Sequence, residues 1–174
     1  RIPDRLLLLE TDAPFLLPRG GATPAPAGSA KRNTPLGLLR IAEEVARLRG
    51  VSGADIARIT TRNACALFGL PLPDEYAGAA IAYTIRSSLY LALTNECTNA
   101  CTFCARNRSY VVKGHDIRLD HEPSAAEVIA AMGDVSACDE VVFCGFGEPT
   151  LRLEVLKTGA REIKRRIRQE RLKV

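Results

Sequence analysis

The hydrophobic positions of this chain change period near residue 80. Before that point Leu38, Ile41, Ala42, Val45 and Leu48 recur at three- and four-residue spacing, which predicts a helix with one buried stripe that Gly50 ends. Asn33 or Thr34 would cap it, with Pro35 in its first turn. "SGAD" at Ser52–Asp55 reads as the capping-box start of a second, short helix, and "TTRNACALFGL" as a third that Gly69 stops. Ahead of the helices, Leu6–Glu10 reads as a buried strand stopped by Pro14, followed by a long Gly-, Pro- and Ala-rich surface loop over Pro18–Pro35.

"PLPDEYAGA" breaks the helical pattern, and behind it the period falls to two. Ile81, Tyr83 and Ile85 alternate, "RSS" turns, and Leu89, Leu91 and Leu93 alternate again, which predicts a hairpin. Ser124 with Glu127 is a capping box for a helix to about Met132. "EVVFCGFGEPT" reads as a short buried strand ending in glycines. An amphipathic helix follows from about Leu151, and "LKV" at 172–174 looks like the start of a further strand. Strand, helix, strand and helix in that order spell an α/β fold with βα units on a parallel sheet.

Composition narrows the class. Nearly half of the 174 residues are hydrophobic and a quarter charged, which suits a globular protein. No apolar run approaches the ~20 residues of a membrane span, so no membrane partner is expected. The basic excess comes largely from "REIKRRIRQERLKV", a run that reads as the wet face of a helix, with nucleic acid as the alternative. Six cysteines without a secretory signal point to a reducing, cytoplasmic setting. The chain opens on Arg1 and holds Met132 as its only methionine, so it reads as a piece of a longer or processed product.

Three of those cysteines, Cys97, Cys101 and Cys104, fall within eight residues, with no fourth nearby. Structural zinc wants four protein ligands, and an ordinary four-iron cluster wants four thiolates. Cys138 or Cys144 as a fourth ligand lies more than thirty residues on, without paired spacing. A structural zinc module and a plain electron-transfer cluster stay open as readings of the residues.

The spacing CxxxCxxC, with Phe103 before the last cysteine and "CGFGEP" after the next strand, resembles the radical S-adenosylmethionine superfamily. The resemblance implies a [4Fe-4S] cluster on Cys97, Cys101 and Cys104, whose fourth iron takes the amino and carboxylate groups of S-adenosylmethionine. Gly145, Gly147 and Glu148 would meet the methionine amino group, since glycine permits close backbone approach and a carboxylate suits an ammonium. Phe103 would pack near the adenine, or else be an ordinary core aromatic. A one-electron reductant such as flavodoxin or ferredoxin is implied as partner; the substrate is not, though nucleic-acid or nucleotide chemistry is hinted at. The reaction is reductive cleavage to a 5′-deoxyadenosyl radical. Cys65 and Cys138 read as small core residues, Cys144 as a neighbour of the cofactor or a strand end, and His115 and His121 as surface histidines.

Residues 1–70 resemble the final strand and closing helices of TatD-type metal-dependent nucleases, on "LLLETDAP", Arg32, Asn33, Pro35 and "NACALFGL", with Thr34 where glutamate is usual. The resemblance implies that Asp12 is one divalent-metal ligand at the end of a (β/α)8 barrel strand. Both histidines lie in the second half, so the family's remaining ligands are absent, and no nuclease activity is expected from this chain alone. The expected organisation is the last βα unit of a TatD-like barrel (1–70), a linker (71–80) and the first βα units of a radical S-adenosylmethionine partial (β/α)6 barrel (81–174). A metal-dependent hydrolase in the longer protein is the alternative function.

Overall fold

The computed structural model describes residues 2–17, 32–77 and 79–171, with side chains through 169 in the last stretch. Most of the loop expected over 18–35 and the strand expected at 172–174 lie outside the described residues. The chain is α/β and divides into two compact units, Arg1–Pro73 and Asp74–Val174.

In the first unit a 3-10 turn at Asp4–Leu6 runs into extended backbone at Leu7. The strand expected at Leu6–Glu10 does not form, because no other described strand pairs with it and an extended segment without a partner has no ladder. Its alternation survives: Leu7 is buried and Leu9 packs on the same cluster, while Leu6 and Leu8 face out. Asn63 takes the place of a neighbouring strand, donating from Nδ2 to the carbonyls of Asp4 and Leu7 at 2.7 and 2.8 Å.

Helix α1 spans Gly37–Arg49 and starts later than expected, with Leu36 at its N-cap and no side-chain cap. Asn33 is instead buried and donates to the carbonyl of Leu16. Gly50 closes the helix in the left-handed region, at φ 66°. Ala42, Val45 and Ala46 face Leu7, Ile56 and Ile59, whereas Leu48, expected in the stripe, is 65% exposed. Helix α2 runs unbroken over Gly53–Phe68 where two helices were expected, since no Gly or Pro interrupts 55–68. Its capping box is present, Ser52 Oγ accepting from Asp55 N and Asp55 Oδ2 from Ser52 N, both at 3.0 Å. Cys65, expected in the core, is half-buried with its thiol 3.5 Å from the Pro71 carbonyl.

The second unit opens with the expected hairpin, β1 Ala82–Ile85 antiparallel to β2 Ser88–Leu91. The chain then forms a small hairpin that the sequence reading missed, β3 Val111–Val112 with β4 His115–Asp116. Lys113 and Gly114 turn it with φ of 50° and 81°, the two positive values of a type I′ turn. His115 is therefore no free surface histidine: Nε2 lies 3.0 Å from the Thr84 carbonyl and the ring leans on Tyr83. His121 is exposed and pairs with Glu127 at 2.8 Å.

Helix α3, Ala125–Ala131, carries β2 over to β5, Glu140–Phe143, which pairs parallel to β2. A 3-10 turn at Pro149–Arg152 leads into α4, Leu153–Arg171. The sheet order is β1-β2-β5, one parallel pair with an antiparallel edge, and the described residues form no barrel. Leu89, Leu91, Leu93, Val128, Met132, Val135 and Ile163 make the core, with Phe143, Val155, Leu156 and Cys138 against it. Among the described residues no helix is long and apolar enough to cross a membrane.

Three groups hold the Glu127 carboxylate on the α3 N-terminus, the Ser124 hydroxyl first, the Ser124 N–H next and His121 after them, and they pull its pKa down to about 2. Its contribution is therefore complete above the unfolded value near ~4.3 and is lost as pH falls through about 2. Glu127→Gln is expected to lower the urea midpoint of this unit at pH 6, with the difference from the parent vanishing near pH 2. Ser124→Ala should cost about 1 kcal/mol at neutral pH.

Candidate functional site

Parallel pairing brings the carboxyl ends of β2 and β5 side by side, the place where open α/β sheets receive ligands. From β2 the chain continues through buried Ala92, Leu93 and Thr94 into the loop that holds Cys97, Cys101 and Cys104. From β5 it continues through Cys144, Gly145, Phe146, Gly147 and Glu148. The two segments touch through backbone. Cys144 N donates to Leu91 O at 3.0 Å and Glu148 N to Glu96 O at 2.8 Å.

Glycine is required there. A Cβ on Gly147 would stand 2.3 Å from Thr94 O and 2.6 Å from Glu96 O, both backbone atoms. At Gly145 it would stand 2.9 Å from the Ala92 Cβ. Phe146, between them, is buried against Tyr83 and Ile117 and meets Tyr110 edge-on at 5.2 Å. It anchors the stretch while the glycines let the chain lie flat. Tyr83, below it, donates to the Cys144 carbonyl at 3.0 Å, and burial raises its phenol pKa.

Side chains missed by the sequence reading fix the β2 segment. Thr94 Oγ1 accepts from Glu96 N at 2.9 Å and donates to Glu122. Arg152 binds Glu122 and donates to the Pro123 carbonyl at 3.0 Å and the Leu93 carbonyl at 3.4 Å. Asn95 exchanges hydrogen bonds with the backbone of Leu119, at 2.7 and 3.0 Å. Such partners depend on which loops meet, so no spacing rule announces them.

The Glu148 carboxylate is held by Thr150, whose hydroxyl and N–H donate to Oε1 at 2.7 and 3.2 Å, and by Asn99, whose Nδ2 reaches Oε2 at 3.1 Å. Thr150 first and Asn99 with it keep Glu148 below the usual carboxylate range. Asn99, inside the cysteine loop, links the two motifs that the sequence proposes as partners. Partial desolvation raises the Cys144 thiol, and neighbouring Cys104 and Glu148 add to the shift.

The thiols of Cys97, Cys101 and Cys104 are free, as is that of Cys144. Asn99 N donates to Cys97 Sγ at 3.4 Å. Cys104 N donates to Cys101 O at 3.1 Å, closing a turn. Three soft sulfur donors are of the kind that iron–sulfur clusters take. The match to a cluster is one of donor type alone: among the described residues no three His, Cys, Asp or Glu groups stand together as a metal site. Phe103 is 86% exposed, which excludes the core alternative for it.

Asp12 is exposed, its carbonyl accepting from Phe15 N at 2.7 Å, and no further ligands gather around it among the described residues. A single carboxylate does not fit a two-ion divalent site.

Residues 1–69 are TatD-like: they match the family described as TatD related DNase. The 3′-5′ ssDNA/RNA exonuclease TatD of Escherichia coli (strain K12) is 46% identical over 69 residues, 40% of this chain and 25% of that protein. The enzyme of the same name from Erwinia amylovora is 49% identical over 69 residues, covering 40% and 26%, and that of Citrobacter rodentium 45% over 71 residues, covering 41% and 26%. The chain thus spans about a quarter of the length of the curated relatives it matches. No solved structure matches significantly.

Gly147→Ala is expected to destabilise the second unit by about 1–3 kcal/mol in urea unfolding, because the obstacle is backbone. Gly145→Ala should be relieved in part by Ala92→Gly, which removes the Cβ in the way and leaves the Ala92 Cα at 3.2 Å; no such relief is expected for Gly147→Ala.

Proposed function

We propose that the chain joins two enzyme pieces: a TatD-type nuclease segment in the first unit and a radical S-adenosylmethionine cluster site in the second. The nuclease reading rests on the 69 matched residues and is the reading the comparisons favour. In such a nuclease, which by family uses divalent metal, Asp12 would supply one carboxylate. The other ligands would come from outside this chain, so no catalytic step is assigned to the first unit.

One observation supports the radical reading of the second unit. The three-cysteine loop and the Gly145–Glu148 stretch meet at the carboxyl ends of one parallel strand pair, linked by Asn99 and Glu148. In this reading Cys97, Cys101 and Cys104 hold the cluster. The Gly145–Gly147 backbone would lie beside the methionine, and ionised Glu148 would receive its ammonium. Bound there, the cluster would supply the electron that splits the sulfonium of S-adenosylmethionine. Exposed Phe103 is free to close over the adenine. A flavodoxin- or ferredoxin-type reductant is the matching partner.

Anaerobic reconstitution with iron and sulfide tests this directly. A brown protein with about four irons and four sulfides is expected. After reduction it should release 5′-deoxyadenosine from S-adenosylmethionine. Cys101→Ser should lose both properties, and Glu148→Gln should keep the colour while losing most of the cleavage. A colourless protein with one tightly held zinc would count against the radical reading. The same preparation is expected to show no divalent-metal-dependent cleavage of single-stranded DNA.

A further inference from the structure

Helix α4 carries a stripe of one sign that the cluster reading leaves unused. Lys157, Arg161, Lys164 and Arg168 recur at i, i+4, i+7 and i+11, and all four are exposed. The spacing puts them in one line along the helix, about 16 Å from end to end at a rise of ~1.5 Å per residue. Arg161, Lys164 and Arg168, with Arg165 and Gln169, line a shallow open depression.

Among the described side chains only the first member of the stripe, Lys157, is paired with an acid of the helix. Glu162 lies on the flank and is bound by Arg165 at 2.6 Å and Arg166 at 2.8 Å. Glu154 stands at the N-terminal end, paired with Lys157 at 2.9 Å, and acts on Arg161 only at longer range. Among the described residues Lys164 and Arg168 have no acidic partner. The opposite face, with Val155, Leu156 and Ile163, is committed to the core.

We propose that this stripe binds the phosphodiester backbone of single-stranded nucleic acid, without base preference, at a site separate from the cysteine loop. A single row of cations follows one backbone. Anionic lipid fits less well, because surface-lying helices bury an apolar face that α4 has already spent on the core. Three or four phosphate contacts set a salt slope of about −2 to −3 in log–log form.

Fluorescence anisotropy of a labelled oligothymidine with the full chain tests this. Raising KCl from 50 to 200 mM should weaken binding roughly 20- to 50-fold. In Lys164→Gln/Arg168→Gln the same change should weaken it only roughly 3- to 7-fold, from a lower starting affinity. Arg5→Gln/Arg47→Gln removes the same charge from the other unit and should leave binding intact. The proposal is overturned if the parent fails to bind at 50 mM KCl. Equal loss in the two double variants, or tighter binding to phosphatidylserine vesicles than to the oligonucleotide, also overturns it.

Discussion

The end of the sheet depends on one close approach, Gly147 lying against the carbonyls of Thr94 and Glu96 with no room for a β-carbon. Parallel strands bring their carboxyl ends to the same side, but pairing stops at Leu91 and Phe143. Beyond that point the ladder no longer holds the two chains together. The flat backbone of Gly145–Gly147, the hydrogen bond from Glu148 N to Glu96 O, and Phe146 locked into the Tyr83 and Ile117 cluster take over its role. Two glycines around an aromatic residue therefore have a mechanical meaning here: close contact on one side, an anchor on the other.

Elements governed by short-range rules were legible in the sequence. Ser52 and Asp55, Ser124 and Glu127, and the stops at Gly50 and Gly69 each act within a few residues, and the structure places them as read. The "RSS" hairpin and the strand ahead of the glycines were legible for the same reason. Tertiary context decided the failures. Leu6–Glu10 has a strand's alternation and no described partner, and Asn33 has a cap's chemistry but was drawn to the Leu16 carbonyl. The Lys113–Gly114 turn stands between strands of two residues each, which carry almost no periodic signal.

The candidate site was legible as types and spacing, and illegible as support. Three cysteines and a glycine-glutamate stretch announce themselves. Nothing in the order of residues says that Asn99 will reach Glu148, or that Glu122 will serve both Thr94 and Arg152. These links join segments 28, 30 and 49 residues apart, and only the β2–α3–β5 crossover determines that they meet.

The nature of those links separates Glu148 from Glu122, Glu154 and Glu162. Glu122 is tied to a guanidinium, Glu162 to two, and Glu154 to an ammonium, so each spends its charge internally. Glu148 is held by the Thr150 hydroxyl, the Thr150 N–H and the Asn99 amide, which are neutral donors. Neutral donors orient a carboxylate and favour its ionised form without cancelling its field. Among the described residues no cation pairs with it. An oriented, ionised and uncompensated carboxylate at the carboxyl end of the parallel pair attracts a cationic group, and Asp or Gln at 148 would lose either the reach or the charge.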